Sequence, residues 1–292
     1  MKNTILVTGS SGFVGAHFCQ GQEVIRFETD LLDRQATLNF CKEIRPTCVI
    51  HLAGQSFVPD SLDDPRRTYQ INFWGTYNLL EALKLSEFKG RFLYIGSSHV
   101  YGSVKKLPIL EESSLLPNTP YGASKMAAEG VCCQFSQTGP FEVIIARPFN
   151  QIGPGQSSRF AISSFAKQVV EYKKKKRSSL SLGNLDVKRD LTDVRDAVVA
   201  YRLLLEKGKN GEIYNVCSGR EISLKEVLDA LIVRAGLSEV PIEKSENISR
   251  RREIKNFYGS YEKLQSQTKW KPKIPLEQTL NDLYEEWEAK II

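Results

Sequence analysis

The chain has 292 residues, 41% of them hydrophobic and 25% charged, with 40 Lys and Arg against 34 Asp and Glu for a net charge of +6. Such a composition belongs to a folded protein of one large unit or two closely joined ones, and it excludes a disordered, collagen-like or disulfide-built chain. The small positive surplus suits anionic small molecules and is too slight to point to nucleic acid, so no nucleic-acid partner is expected.

Strand-like runs of β-branched and aromatic residues fall at 4–8, 23–27, 48–52, 92–95 and 143–146, with amphipathic helical stretches at 34–45, 68–85 and 120–136. That alternation predicts an α/β fold with a parallel sheet covered by helices. Beyond about residue 151 the pattern loosens into helices at 160–176, 194–207, 223–235 and 276–290, with one more buried strand at 213–217. The run Lys173-Lys174-Lys175-Lys176-Arg177 closes a predicted helix and reads as a solvated helix end, where cations suit the dipole.

None of the six cysteines pairs with another, or with a histidine, at zinc-site spacing, and Cys132 and Cys133 are adjacent, a poor geometry for a staple. Reduced thiols, no metal and a cytoplasmic location are therefore expected. The apolar start Ile5-Leu6-Val7 runs at once into a glycine turn, too short for a signal-peptide core. No stretch approaches the roughly 18 apolar residues of a membrane-spanning helix, so no membrane association is expected.

Gly9-Ser10-Ser11-Gly12-Phe13-Val14-Gly15 follows the first strand and opens a helix. Glycines at this place permit a tight turn and let backbone N–H groups approach a pyrophosphate. The spacing is G-x2-G-x2-G, and the second strand arrives early. Near its end Glu28 would hydrogen-bond a free ribose 2′-hydroxyl, whereas Arg26 would welcome a 2′-phosphate, which leaves NADH and NADPH both open.

Tyr121 and Lys125 follow Pro120, a residue favoured in a first helical turn, and their four-residue spacing puts phenol and ammonium on one helix face. A nearby ammonium would lower the phenol's pKa from about 10 toward working pH. Tyr121 is then a general acid or base for carbonyl–alcohol interconversion, and Lys125 can also bond ribose hydroxyls.

The glycine turn, His51-Leu52-Ala53-Gly54, Asn72 with Gly75-Thr76, Ser97-Ser98-His99-Val100-Tyr101-Gly102 and the Tyr121/Lys125 pair resemble the extended short-chain dehydrogenase/reductase family, in its order and at its separations. The resemblance continues through Arg147-Pro148-Phe149-Asn150 and Arg189-Asp190-Leu191-Thr192-Asp193-Val194 to Trp270-Lys271-Pro272, and so covers the whole chain. It implies a Rossmann-type, doubly wound domain over residues 1–150, to which the strand near 213–217 returns, and a smaller lobe over most of 151–292 that binds a nucleotide-diphosphate sugar. By the same resemblance Tyr121 and Lys125 are catalytic, and Ser97 bonds the reacting sugar oxygen. The cofactor, NADPH or NADH, would be held by Gly9, Ser11, Gly12, Phe13, Val14, Gly15, Asp30, Leu31, Leu52, Ala53, Gly54, Tyr121, Lys125 and Pro148. A homodimer is expected, since related enzymes pair through helices flanking the active-site helix.

Family members that dehydrate a hexose place an acidic residue soon after the Ser or Thr at position 97; here Ser98 and His99 follow it. That leaves plain hydride transfer to a ketone. The segment from Arg147 to Gln156, with Phe165-Ala166-Lys167-Gln168 and the stretch from Gly183 to Asp190, resembles the reductases of GDP-linked 4-keto-6-deoxy sugars. That likeness implies a substrate site of Ser97, Ser98, Asn150, Lys167, Asn184, Arg189, Arg250 and Glu253. His99 stays open as an epimerase base, a substrate contact or a hydrogen-bonded pocket residue. The alternatives are a reductase of a GDP-4-keto-6-deoxy-heptose, an epimerase-reductase using His99, or a non-catalytic NAD(P)-binding sensor.

Overall fold

A computed structural model describes residues 4–244 and 254–292. In chain order the elements of the first half are β1 (Ile5–Thr8), α1 (Phe13–Cys19), β2 (Ile25–Phe27), α2 (Arg34–Ile44), β3 (Cys48–His51), α3 (Val58–Asp63), α4 (Pro65–Tyr69), a π-helical turn (Gln70–Trp74), α5 (Gly75–Leu85), β4 (Arg91–Ile95), a 3-10 turn (Ser98–Val100), α6 (Pro120–Thr138) and β5 (Glu142–Pro148). The second half contains β6 (Asn150–Ile152), α7 (Ala161–Lys173), β7 (Leu180–Leu182), β8 (Lys188–Arg189), β9 (Leu191–Asp193), α8 (Val194–Lys207), β10 (Ile213–Val216), β11 (Ile222–Ser223), α9 (Leu224–Arg234), β12 (Ile242–Lys244), β13 (Asn256–Phe257), α10 (Glu262–Thr268) and α11 (Leu276–Lys290).

Six strands pair in the order β10-β5-β4-β3-β1-β2, every neighbouring pair parallel, giving the expected Rossmann-type sheet. These strands read as unbroken apolar runs because both faces are covered, so alternate residues enter different cores. Leu6, Val49, Phe92 and Ile145 pack with α2, α5 and α6 on one face. On the other, Val7, Ile50, Leu93 and Ile144 meet Phe18 of α1 and Tyr201 and Leu204 of α8. Leu264 of α10 and Trp270 join this second core, so much of the second half packs on the sheet. A third core gathers α7, α9 and α11 around Leu180 and Leu182. The strand order reverses at β1, where β2 and β3 leave on opposite sides, the place beyond the strands' carboxyl ends at which open α/β sheets form a ligand crevice.

Two helices differ from expectation. The helix predicted at 68–85 starts at Pro65, because Asp64 caps it by accepting from the Arg67 N–H at 2.9 Å, and it carries a π turn at Gln70–Trp74. The helix predicted at 160–176 ends at Lys173, and Lys175 has a left-handed φ of 56°. The basic run after it is exposed, as expected of a solvated helix end, and it also meets the end of α11. Lys173 reaches Tyr284 at 3.0 Å and Glu288 at 3.2 Å, Lys174 donates to the Glu288 carbonyl at 2.8 Å and to that of Ile291, and Lys176 meets the Ile292 carbonyl. The cations grip the end of α11, where carbonyls lack helical partners and the dipole is negative. All six cysteines are free. No helix among the described residues is long and apolar enough to cross a membrane.

Candidate active site

At the end of β1 the chain turns at Gly9 with φ 69°; a Cβ there would sit 2.6 Å from the Ala53 backbone nitrogen. A Cβ on Gly15 would lie 2.1 Å from the Gly9 carbonyl oxygen, and the Gly12 N–H closes the turn on that same oxygen at 3.1 Å. Ser11 and Gly12 are exposed at its crest, with Phe13 and Val14 half-buried behind them. Facing the turn, Leu52, Ala53 and Gly54 leave β3, and the Ala53 N–H donates to Thr8 Oγ1 at 3.1 Å. His51 is locked between Thr8 (2.7 Å) and Thr76 (2.9 Å); burial, with the Lys125 charge, holds it down to about 3, so it stays neutral. Asp30 and Leu31 follow β2. The Asp30 carboxylate accepts from the Leu32 N–H at 2.9 Å, and Leu31 packs into the core beside α5.

Helix α6 begins as its sequence dictates: Thr119 Oγ1 accepts from the Gly122 N–H at 3.1 Å, and Pro120 occupies the first turn. This carries Tyr121 and Lys125 inward, at 7% and 6% exposure. Ser97, just beyond β4, is buried, and its Oγ accepts from the His99 N–H at 3.2 Å. Burial raises the Tyr121 pKa above its ordinary value and the Ser97 hydroxyl draws it partly back. The expected lowering by Lys125 is not found. Lys125 donates to the Ile95 carbonyl at 2.8 Å, lies 5.1 Å from the Tyr94 ring centre, and is itself pushed down by burial to about 8. The His99 ring meets Tyr121 edge-on at 5.4 Å and Phe257 at 6.4 Å, and Ser98 beside it is fully buried.

Asn72, on the π turn, ties this group together. Its Oδ1 accepts from the Gln55 N–H at 2.8 Å, and its Nδ2 donates to the Gln55 carbonyl at 3.1 Å and to Ser124 Oγ at 2.9 Å. Ser124 in turn donates to the Tyr121 carbonyl at 2.8 Å, so the π turn pins α6 to the loop after β3. One helical turn further, Glu129 pairs with the buried Arg147, whose Nε donates at 2.9 Å. Burial disfavours that guanidinium's charge, but the Glu129 carboxylate more than offsets it and leaves the pKa above its usual value. Arg147 also donates to Tyr101 Oη and the Glu111 carbonyl, both at 2.9 Å, and Tyr101 passes a bond to Asn215 at 2.7 Å. The sequence assigns no site role to Asn72, Ser124, Glu129 or Tyr101, although Asn72 and Tyr101 stand in the motifs that carry the family resemblance.

The remaining predicted residues are spread over other elements. Pro148 ends β5 opposite Val216. Asn150 opens β6 against Leu191 of β9. Lys167 lies on α7, 3.6 Å from Glu171 and 5.7 Å from the Trp287 ring centre. Asn184 Oδ1 accepts from the Asp186 N–H at 3.0 Å, and Arg189 Nη1 donates to the Lys188 and Ile254 carbonyls, both at 2.8 Å. Arg250 and Glu253, with Arg251 and Arg252, lie outside the described residues. Next to Arg189, the buried Asp190 accepts from the Ser218 N–H at 2.7 Å, the Ser218 hydroxyl at 2.8 Å and the Gly219 N–H at 3.0 Å; burial pushes it up to about 6 against those donors.

A dinucleotide suits this arrangement. The turn at 9–15 is open backbone at the switch point. At Gly54 a Cβ would stand 2.9 Å from Asn72 Oδ1 and 3.4 Å from Lys125 Nζ, so the backbone after β3 comes close to the ammonium only without a side chain.

Comparison with known proteins agrees with this geometry. The family model for GDP-mannose 4,6 dehydratase matches residues 20–283. The chain is 41% identical to a GDP-6-deoxy-D-mannose reductase of Pseudomonas aeruginosa, over 100% of this chain and 99% of that one. It is 29% identical to a GDP-6-deoxy-D-talose 4-dehydrogenase of Aggregatibacter actinomycetemcomitans, over 89% of each. The solved structure of RMD from Pseudomonas aeruginosa complexed with NADPH superposes with a TM-score of 0.92 at 41% identity, covering 99% of this chain and 100% of that one. With the matched model spanning most of its length and a relative aligned from end to end, this chain belongs to the GDP-mannose 4,6-dehydratase family of extended short-chain dehydrogenases/reductases.

Proposed function

We propose that the protein is an NAD(P)H-dependent reductase that converts the C4 ketone of a GDP-linked 4-keto-6-deoxy sugar to the alcohol. The observation that carries this is the buried Ser97–Tyr121–Lys125 group, followed by Ser98 and His99 where a dehydratase would need a carboxylate. The full-length likeness to a GDP-6-deoxy-D-mannose reductase supports the GDP-linked substrate.

The glycine turn, Asp30, Leu31, the 52–54 segment and Pro148 would hold the cofactor, NADPH or NADH, which when bound supplies the hydride for C4. Tyr121 remains a neutral phenol at pH 7 because burial raises its pKa, so it can give its proton to the C4 oxygen as the carbonyl is reduced. Ser97 donates to that same oxygen and orients it. Lys125, charged below about pH 8, serves the ribose hydroxyls. On the other side Asn150, Lys167, Asn184 and Arg189, with Arg250 and Glu253, would take the nucleotide diphosphate, for which guanidinium forks and amide donors are suited.

His99 acts as a substrate contact in this reading. Epimerisation needs a second acid or base, and the other two histidines are committed elsewhere: His51 to Thr8 and Thr76, His17 to the Pro154 carbonyl at 2.8 Å. The exposed Leu62, Tyr69 and Trp74 beside α4 and the π turn support a homodimer, and the free thiols support a cytoplasmic site of action. The test is turnover on 4-keto-6-deoxy sugars linked to GDP, UDP and dTDP, with products identified by NMR. Reduction at C4 of the GDP sugar is expected; failure to oxidise either cofactor with any of them removes the reading.

A further inference from the structure

Arg26 and Glu28 compete for one task, reading the adenosine ribose at the end of β2, and the structure sets them at different heights. The register pairs Val7 with Arg26 and Thr8 with Phe27, so Glu28 comes level with Gly9, the first residue of the glycine turn. Phe27 turns into the core shared with α2 and α5, which leaves Arg26 on the face of α1, about 7 Å further down the strand than Glu28. There Arg26 lines a shallow cavity with Ala16, His17, Cys19 and Gln20, the carboxyl-terminal part of α1 and the residue after it. Its charge offsets part of the upward push that burial gives the Cys19 thiol. Arg26 thus stands below the crevice, and Glu28 at its rim.

Carboxylates predominate in the segment that follows Glu28. Asp30 and Asp33 follow Glu28, with the Asp33 carboxylate capping α2 through the Ala36 N–H at 2.9 Å. The next cation after Glu28 along the chain, Arg34, is committed to Glu81 through Nε at 2.6 Å and Nη2 at 2.8 Å. A 2′-phosphate, carrying about −1.5 to −2 charge, would face carboxylates there. A 2′-hydroxyl would instead donate to one.

We infer that this chain selects NADH over NADPH, with Glu28 accepting the adenosine 2′-hydroxyl. The selection rests on the proposed nicotinamide-dependent reduction and departs from the Pseudomonas aeruginosa RMD structure, which is complexed with NADPH. Equilibrium titration of the full chain with each cofactor, read by calorimetry or by energy transfer from tryptophan to the reduced nicotinamide, tests it without turnover. NADH should bind at least about tenfold more tightly, the size of one charge-assisted hydrogen bond. Glu28→Ala should abolish most of that ratio, Glu28→Arg should reverse it, and Arg26→Ala should leave both affinities unchanged, with circular dichroism confirming that each variant folds. Equal or tighter binding of NADPH by the unaltered chain overturns the inference while leaving the reductase intact, as does an Arg26→Ala variant that loses NADPH alone. Binding of neither cofactor overturns the reductase and the preference with it.

Discussion

The sheet side and the carboxyl-terminal side of this protein prepare for their ligands in opposite ways. On the sheet side the working parts are backbone and short-range buried groups: a glycine turn with no room for a Cβ, and Ser97, Tyr121 and Lys125 held by Ile95, Asn72 and Ser124. On the other side they are long side chains already engaged, Arg189 with two carbonyls and Lys167 with Glu171 and Trp287. The first arrangement has little freedom left to lose on binding. In the proposed function the second would exchange internal partners for phosphate oxygens. Chemistry that tolerates no misplacement is therefore built into the sheet, and recognition that can adapt is left to the side chains around it.

Removing the acid breaks the comparison most severely. Tyr121→Phe should lower kcat by about 10²- to 10⁴-fold, and cofactor affinity should stay within about threefold of the unaltered chain. A variant with full turnover would put the proton donor elsewhere.

The rigidity of the sheet side is sharpened by Glu129→Ala, which strands the buried Arg147 guanidinium next to the active-site helix. Stability should fall by about 3–5 kcal/mol in urea unfolding, and Arg147→Met in the same chain should recover part of it. A loss below about 1 kcal/mol would mean the pair holds nothing in place.

On the adaptable side, Arg189→Ala should raise KM for the GDP sugar by roughly 10- to 100-fold and leave cofactor affinity unchanged, the loss expected for hydrogen bonds to a charged group. An equal loss of both would show that Arg189 supports the fold through the Lys188 and Ile254 carbonyls instead.

The smallest effect concerns pH. The folded pKa of Lys125 is depressed to about 8, so its ammonium loses its proton as pH rises through that value rather than near 10.5. Cofactor affinity should weaken a few-fold between about pH 7 and 9, and Lys125→Met should remove that slope. A flat profile in the unaltered chain would detach Lys125 from the ribose.

Much of the sheet side could be read in advance because its signals are local. Uninterrupted apolar runs mark the strands, Thr119-Pro120 marks the start of α6, and the spacing of Tyr121 and Lys125 gives their shared face. The π turn escaped, since it depends on bonds from Asn72 to Gln55 and Ser124, partners brought close only by the fold. For the same reason the spacing alone points to a Tyr121 pKa lowered by the Lys125 charge, whereas burial and the Ser97 hydroxyl decide it. The basic run at 173–177 is exposed as its composition suggests, but its bonds to carbonyls at the end of α11 depend on residues far along the chain. On the carboxyl-terminal side, Asp190 was visible only as a neighbour of Arg189, while its role as an anchor for Ser218 and Gly219 is purely tertiary.

The central claim is direct reduction at C4 with Tyr121 as acid and no exchange at the neighbouring carbons. It is tested most directly by supplying a GDP-4-keto-6-deoxy sugar with NADH or NADPH deuterated on the transferring face of the nicotinamide, in ordinary water, and again with unlabelled cofactor in D2O. One deuterium should appear at C4 in the first experiment and none at C3 or C5 in the second. Deuterium from solvent at C3 or C5 would contradict it and make His99 a base, and label missing from C4 would contradict it outright.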